Sequence, residues 1–119
     1  MNNIIKLSII VLLLDSIFLF CIKNLFSKQI KSIQNSELRV NFIGAIICYF
    51  LIILSLYWFI IKEGKSIKDA FILGICIYGV YEYTNYSLFK NWNITTTIID
   101  TLWGGILFTL STYIYNNWK

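Results

Sequence analysis

The stretch that decides the fold is YEYTNYSLFKNWNITTTIID, residues 81–100. Its polar centre at 90–95 separates two apolar runs, as expected for two helices joined by a short turn. Each run also carries an acid, Glu82 before the turn and Asp100 after it, with no Arg or His nearby to neutralise them. The stretch therefore raises the question of why so apolar a chain keeps carboxylates here.

The composition indicates that lipid is part of the solvent of this chain. Its 119 residues are 58% hydrophobic and 13% charged, whereas a soluble protein averages about 25% charged residues. A soluble core of this size would not bury so much apolar surface. The net charge of +4 is spread over the segments between apolar runs, which is typical of loops near lipid headgroups rather than of a nucleic-acid surface.

The residue types also limit the chemistry. There is no His, so the usual zinc, haem and Ser–His catalytic sites lose their commonest residue. Cys21, Cys48 and Cys76 lie in different apolar runs and lack metal-ligand spacing. They are predicted to be buried free thiols. The sequence therefore predicts no metal site and no cofactor.

Four apolar runs approach the roughly 20 residues that a helix needs to cross a bilayer. They lie at about 4–22, 40–61, 69–89 and 96–115. Spanning segments must satisfy their own backbone hydrogen bonds, so the runs are predicted to be helices. Ser66 and Asp69 form a capping box for the third run, and Asn93 or Thr95 suits the N-cap of the fourth. The prediction is an all-α integral membrane protein, one four-transmembrane-helix bundle over 1–119 with both termini on the same side.

Four crossings divide the loops between two faces. Side A would hold the termini and the 62–68 loop, and side B the 23–39 loop and the 90–95 turn. Basic residues are evenly divided, five on each side, so the positive-inside rule favours neither orientation. Aromatic belts are predicted near side A at Tyr57, Trp58, Tyr115 and Trp118, and near side B at Tyr86 and Trp92.

Two segments have alternative interpretations. The first run has the basic start and apolar middle of a signal peptide, but Asp15 interrupts it and no small-residue cleavage site follows, which favours a retained span. The 23–39 segment places Phe26, Ile30 and Ile33 on one helical face. It either lies flat in the interface as an amphipathic helix or continues the first span past the membrane.

Three acids fall at one predicted depth. Asp15 lies eight residues before Lys23, and Glu82 lies eight residues before Lys90, so each is about 12 Å inside the side-B boundary. Asp100 follows Asn93 by seven residues, about 10 Å. A charge deep in a bilayer costs at least about 2.5 kcal/mol and usually faces the bundle interior. These carboxyl groups are therefore expected to be protonated, share protons, hold a cation or line water.

Polar and aromatic neighbours fit an interior site. Glu82 and Asn85 lie on one stripe of the third helix, flanked by Tyr81. Trp103 on the fourth helix is too deep for an interfacial belt, and Tyr49 on the second reaches a depth from which it can donate a hydrogen bond. The alternative is that these groups only bind the helices together, which contributes about 0.6 kcal/mol for each hydrogen bond.

The chain resembles the small bacterial membrane proteins of the domain-of-unknown-function family 2177. Tyr-Glu-Tyr-Thr-Asn at 81–85 matches the family's Tyr-Asp-Leu-Thr-Asn motif, and 91–93 matches its Gly-Trp-Pro turn. Asp-Thr-Leu-Trp-Gly at 100–104 matches Asp-x-x-Trp-Gly, and 14–15 and 49–50 match in the first two spans. The resemblance covers nearly the whole chain and supports the fold and the site, but the family supplies no substrate.

Two departures from the family pattern matter. Glu82 replaces an Asp, which keeps the charge and lengthens the side chain. Asn91 and Asn93 replace Gly and Pro, so a different turn geometry is expected.

Three kinds of function remain open. The first is an acidic site that binds or moves a proton or small cation, with Asp15, Glu82 and Asp100 as acids and Tyr81, Thr84, Asn85 and Trp103 around them. The second is a membrane-embedded enzyme or accessory factor acting on lipids, for which no evident nucleophile or phosphate loop is present, so a non-enzymatic role is favoured. The third is a structural or assembly protein.

The expected partners are bilayer lipids and a second copy of the chain, without nucleic acid. A bacterial source would place the protein in the inner or plasma membrane, and a viral source in a host-derived or virion membrane.

Overall fold

The computed structural model describes residues 2–118, which form four helices. They are α1 (Asn3–Gln34), α2 (Phe42–Leu56, continued by one π-helical turn, Tyr57–Ile61), α3 (Ile67–Leu88) and α4 (Ile94–Asn117). The predicted all-α fold with four helices is confirmed. Three segments are long and apolar enough to cross a membrane: α1, α2 with its π turn, and α4. The remaining helix, α3, has 22 residues but does not meet the same requirement for an apolar stretch.

Side-chain caps mark where the helices begin. The Ser66 hydroxyl accepts a hydrogen bond from the Asp69 backbone N–H at 3.2 Å, which confirms Ser66 as the cap of α3. Asn93, rather than Thr95, caps α4, because its side chain accepts from the Thr95 backbone N–H at 2.6 Å. Short polar residues suit these positions because their side chains satisfy backbone donors that the first helical turn leaves free.

The first helix runs well past a membrane thickness. Its 32 residues correspond to about 48 Å, against a hydrocarbon core of about 30 Å. It ends where Asn35 takes the left-handed conformation, with φ of 59°. The segment after Lys23 therefore continues α1 as far as Gln34, and the alternative of a separate helix lying flat in the interface is wrong.

Glycines bring α3 and α4 into backbone contact. A Cβ on Gly104 would lie 2.6 Å from the carbonyl oxygen of Gly74 and would also clash with the Tyr78 ring. A Cβ on Gly105 would lie 2.7 Å from the Phe71 ring. Such small residues are how helices approach closely in lipid, where packing rather than the hydrophobic effect drives association. The α3–α4 hairpin is thus the rigid half of the bundle.

The apolar core lies toward the chain termini. It contains Leu7 and Val11 from α1, Leu56 from α2, and Leu107 and Phe108 from α4, all fully buried. At the same end, Lys6 Nζ donates to the Trp118 backbone oxygen at 2.9 Å and lies 4.2 Å from the centre of the Tyr115 ring. These contacts join the start of α1 to the end of α4.

The second helix packs only through its second half. Its buried side chains are Ile52 and Leu56, whereas Phe42 near its start is 76% exposed and Ile43 is 74% exposed. The first half of α2 has no buried side chain and stands away from the other helices. A groove therefore opens between it, α1 and α3.

Two predictions from the sequence are wrong in detail. The cysteines are free, as expected, but Cys21, Cys48 and Cys76 are all exposed rather than buried. Trp92 does not belong to a lipid-facing belt, because it is only 5% exposed and packs inside the bundle. Position along the sequence, in an apolar run or near a boundary, does not give the direction in which a side chain points.

Candidate functional site

Asp15 is held between three helices. It is 5% exposed. The Tyr49 hydroxyl of α2 donates to its Oδ2, and the Trp103 indole N–H of α4 donates to its Oδ1 at 2.9 Å. Both carboxyl oxygens thus have neutral donors, which lowers the cost of burying the group. The expected hydrogen bond from Tyr49 is confirmed.

A stacked ring fixes the Trp103 donor. Phe18, one turn after Asp15 on α1, lies 4.5 Å from the Trp103 ring with an interplanar angle of 4°. Aromatic pairs of this kind contribute about 0.5–1.5 kcal/mol beyond the area they bury. The stack holds the indole N–H toward Asp15 and joins α1 to α4 at the level of the carboxyl groups.

Glu82 is the most enclosed acid. It is 0% exposed, and its Oε1 accepts a hydrogen bond from the Trp92 indole N–H at 3.0 Å. Trp92 comes from the turn between α3 and α4 and packs edge-on against Phe26 of α1, with ring centres 6.3 Å apart. The turn therefore folds back over the end of the bundle and caps the acid.

Glu82 and Asp100 form a carboxyl pair. Their side chains are direct neighbours, and none of the hydrogen bonds found within residues 2–118 joins them as ionised groups. Two ionised carboxylates only accept hydrogen bonds, and in the described part of the chain Glu82 Oε2 has no donor. A proton on either carboxyl group would supply that donor and remove the repulsion between like charges.

Asp100 links the other two acids. It neighbours Glu82 on one side, and together with Asp15 it lines the groove beside α2. No Lys or Arg within residues 2–118 forms an ion pair with any of the three, since the one ion pair found there joins Lys31 to Glu37. Asp15, Asp100 and Glu82 are called the row of acids below, and their shared depth in the bilayer stays a prediction.

A second set of hydrogen bonds, called the Gln29 clasp below, joins the turn between α3 and α4 to the last part of α1, after Lys23. Gln29 is 5% exposed; its Nε2 donates to the Asn91 backbone oxygen at 2.6 Å, and its Oε1 accepts from the Asn93 backbone N–H at 2.7 Å. Asn91 Nδ2 donates in return to the Ser32 backbone oxygen at 3.2 Å. The long α1 therefore positions Trp92, and through it Glu82.

The groove beside α2 reaches two of the acids. Its volume is about 680 Å³, and Asp15 and Asp100 form part of its wall. The aromatic lining consists of Phe26, Tyr49, Tyr78 and Tyr81. The rest of the lining is mainly aliphatic and includes no Lys or Arg. Glu82 is not among the lining residues, so it lies behind Asp100 as seen from the groove.

The other predicted site residues are placed differently. Tyr81 is 51% exposed and lines the groove. Asn85 is half-buried near the end of α3, and Thr84 is exposed. Neither donates to a carboxyl group among the hydrogen bonds of residues 2–118. Thr84 and Asn85 therefore lie outside the row of acids.

Phe18 and Gln29 were not identified from the sequence, and Trp92 was identified but assigned to the membrane surface rather than to the interior. For Gln29 a signal existed, because it falls on the helical face already marked by Phe26 and Ile33. Phe18 lies three residues after Asp15 on α1, a spacing that places both on one face.

The arrangement is not a cage for a metal ion. Within the described residues, no three Asp, Glu or Cys side chains come together at distances suited to a metal. The geometry instead places carboxyl oxygen atoms beside neutral N–H and O–H donors.

The sequence comparison assigns the family. A family model described as Predicted membrane protein (DUF2177) matches residues 2–115. The chain belongs to this family. Searches among curated proteins and among solved structures gave no significant match. The family description agrees with the three apolar helices that are long enough to cross a membrane, so the molecule is described below as a membrane protein.

Proposed function

We propose that this protein binds an exchangeable proton inside the membrane, between Glu82 and Asp100. The observation that carries the proposal is a carboxyl pair in which Glu82 is fully buried and its Oε2 lacks any other donor in the described residues. A single shared proton gives both groups a hydrogen bond and leaves the pair with one negative charge instead of two.

In this proposal, all four helices cross the membrane. The 22 residues of α3 correspond to about 33 Å, enough to cross, and its glycines hold it against the apolar α4. The contact between Lys6 and Trp118 supports termini on the same side. Lipid chains would cover the exposed apolar side chains of the outer faces, such as Phe20 and Val80.

A proton suits this site better than a metal cation. The row of acids lacks a third ligand at metal distance within residues 2–118, and the indole and phenol groups around it donate hydrogen bonds rather than accept them. Donors of this kind stabilise a carboxylate or a half-protonated pair, and intramembrane acids are often proton-binding groups.

Proton counting tests the proposal. Purified protein in detergent is titrated between about pH 5 and about pH 10, a range in which ordinary exposed carboxyl groups stay ionised. The wild type is expected to exchange about one proton per chain more than Glu82→Gln, because the pair shares one proton. Asp69→Asn, which removes an exposed acid at the start of α3, is the matched control and should titrate like the wild type.

A second candidate is that the acids serve only to pack the helices, which the hydrogen bonds from Trp92 and Trp103 favour. Acids that never exchange a proton would give identical titration curves for the wild type and Glu82→Gln. That result, with both proteins folded, would refute the proton site and support the packing role.

A further inference from the structure

We propose that the groove beside α2 binds a lipophilic organic cation, and that its binding displaces the proton of the Glu82–Asp100 pair. The inference rests on the proposed proton site and extends it to a class of ligand. The occupant is a molecule with a delocalised or alkylated positive charge and a bulky apolar body.

The size and lining of the groove define this class. Its volume of about 680 Å³ lies within the range of about 300–1,000 Å³ that small-molecule sites occupy. Its walls are aliphatic side chains such as Leu19, Ile47 and Leu51, together with the three tyrosines. Such walls suit an apolar body and exclude a small hydrated ion, whose water shell they cannot replace.

Charge complementarity selects a cation. Asp15 and Asp100 supply the charged groups of the lining, and no basic residue joins them. Tyrosine ring faces attract cations at distances within about 6 Å of the ring centre. An anionic amphiphile would meet two acids without a positive partner, and a neutral lipid chain would leave those acids uncompensated.

The position of Asp100 couples the ligand to the proton. Asp100 lines the groove and also pairs with Glu82 behind it. A cation beside Asp100 stabilises the ionised carboxylate and so favours breaking the O–H bond of the shared proton. The proton passes to water as the cation enters, so one positive charge replaces another and no bond of the ligand changes.

The groove is also accessible from the membrane. The first half of α2, including Phe42 and Ile46, is exposed and unpacked, so a ligand dissolved in the lipid can enter without unfolding a helix. Access from the lipid matches a hydrophobic cation, which concentrates in the bilayer.

The test uses tetraphenylphosphonium as the cation and triphenylphosphine oxide as its neutral analogue. Equilibrium dialysis of the detergent-solubilised protein should show saturable binding of the cation that the neutral analogue does not displace. Affinity is expected to fall at least about tenfold in Asp100→Asn and in Asp15→Asn and to stay unchanged in Asp69→Asn. In weakly buffered solution, binding should release protons from the wild type but not from Glu82→Gln.

A variant that leaves every carboxyl group in place keeps the test independent of folding defects. Ala45 lines the groove on the unpacked half of α2, so Ala45→Trp should fill the space, abolish cation binding and keep the titration that depends on Glu82. Equal, non-saturable uptake by all variants would overturn the inference and would indicate that lipid chains or a second copy cover the groove. If the Glu82-dependent titration persists in that case, the proton site stands without the ligand. If it is absent, both proposals fail.

Discussion

At the scale of single residues, tryptophan N–H groups rather than basic side chains accompany the buried acids. Trp92 donates to Glu82 and Trp103 donates to Asp15, at 3.0 and 2.9 Å. An indole has one donor and a large apolar surface, so it can stabilise a carboxyl group without placing a second charge in the membrane. Within residues 2–118, neither acid is paired with a fixed positive charge.

Replacing Trp92 with Phe should destabilise the protein. The substitution keeps an aromatic ring but removes the donor to Glu82 Oε1, and an unsatisfied buried acceptor costs about 1–3 kcal/mol. Thermal unfolding in detergent measures the effect. Trp58→Phe is the matched control, because Trp58 is exposed on the π-helical turn of α2 and should tolerate the change. Equal stability of the two variants would show that the Trp92 hydrogen bond contributes nothing.

Residue counting could predict that Asp15, Glu82 and Asp100 share a depth, because the rise of a helix is fixed. It could not predict which way Trp92 points. That direction depends on the turn between α3 and α4 folding back onto α1, a contact between residues more than 60 positions apart such as Gln29 and Asn91. A local pattern contains no information on such a pairing.

At the scale of helices, the bundle has a rigid half and a loose half. Backbone contact through Gly74 and Gly104 makes the α3–α4 hairpin rigid, and the Gln29 clasp attaches α1 to its turn. In contrast, α2 is anchored through Ile52 and Leu56 in its second half and by the Tyr49 hydrogen bond to Asp15. Asp15 and Asp100 lie where the rigid half borders the loose one and line the groove there, whereas Glu82 is fully buried.

Gly104→Ala should separate the hairpin. The new methyl group would meet the Gly74 carbonyl oxygen at 2.6 Å and the Tyr78 ring, and overpacking against backbone costs about 1–3 kcal/mol or more. Gly79→Ala is the control on the same hairpin, since its Cβ would meet only the Thr101 methyl group, at 3.4 Å. Both gain the same helix propensity. The yield of monodisperse protein and its thermal stability should drop for Gly104→Ala alone; a similar loss in both would argue against close helix contact at Gly104.

The helices themselves followed from apolar length and from caps such as Ser66. The extent of α1 did not, because the sequence after Lys23 suits an interfacial helix as well as a continuation. The structure decides for the continuation, because α1 is unbroken as far as Gln34 and Gln29 within it makes hydrogen bonds to the turn.

At the scale of the whole molecule, α3 is decisive because it is the helix least clearly suited to cross a membrane and the one that carries Glu82. If it crosses the membrane, the carboxyl row is intramembrane and both termini face one side. The contact between Lys6 and Trp118 marks one end of the bundle, and the end of the long α1 marks the other. If α3 crosses the membrane, these two ends lie at its two faces.

Impermeant maleimide labelling of sealed vesicles tests that topology. With Cys21, Cys48 and Cys76 replaced by Ala, single cysteines are introduced at Ser36, Lys65 and Lys90. A crossing by α3 predicts that Ser36→Cys and Lys90→Cys label from one side and Lys65→Cys from the other. Labelling of Lys65→Cys and Lys90→Cys from the same side would show that α3 does not cross, and would remove the intramembrane site.

Infrared spectroscopy of the protein in lipid can detect a proton shared by Glu82 and Asp100. The carbonyl band of a protonated carboxyl group should be present in the wild type at neutral pH, shift in deuterated water, and disappear in Glu82→Gln while remaining in Asp69→Asn. Absence of the band in the folded wild type, or its persistence unchanged in both Glu82→Gln and Asp100→Asn, would contradict the claim.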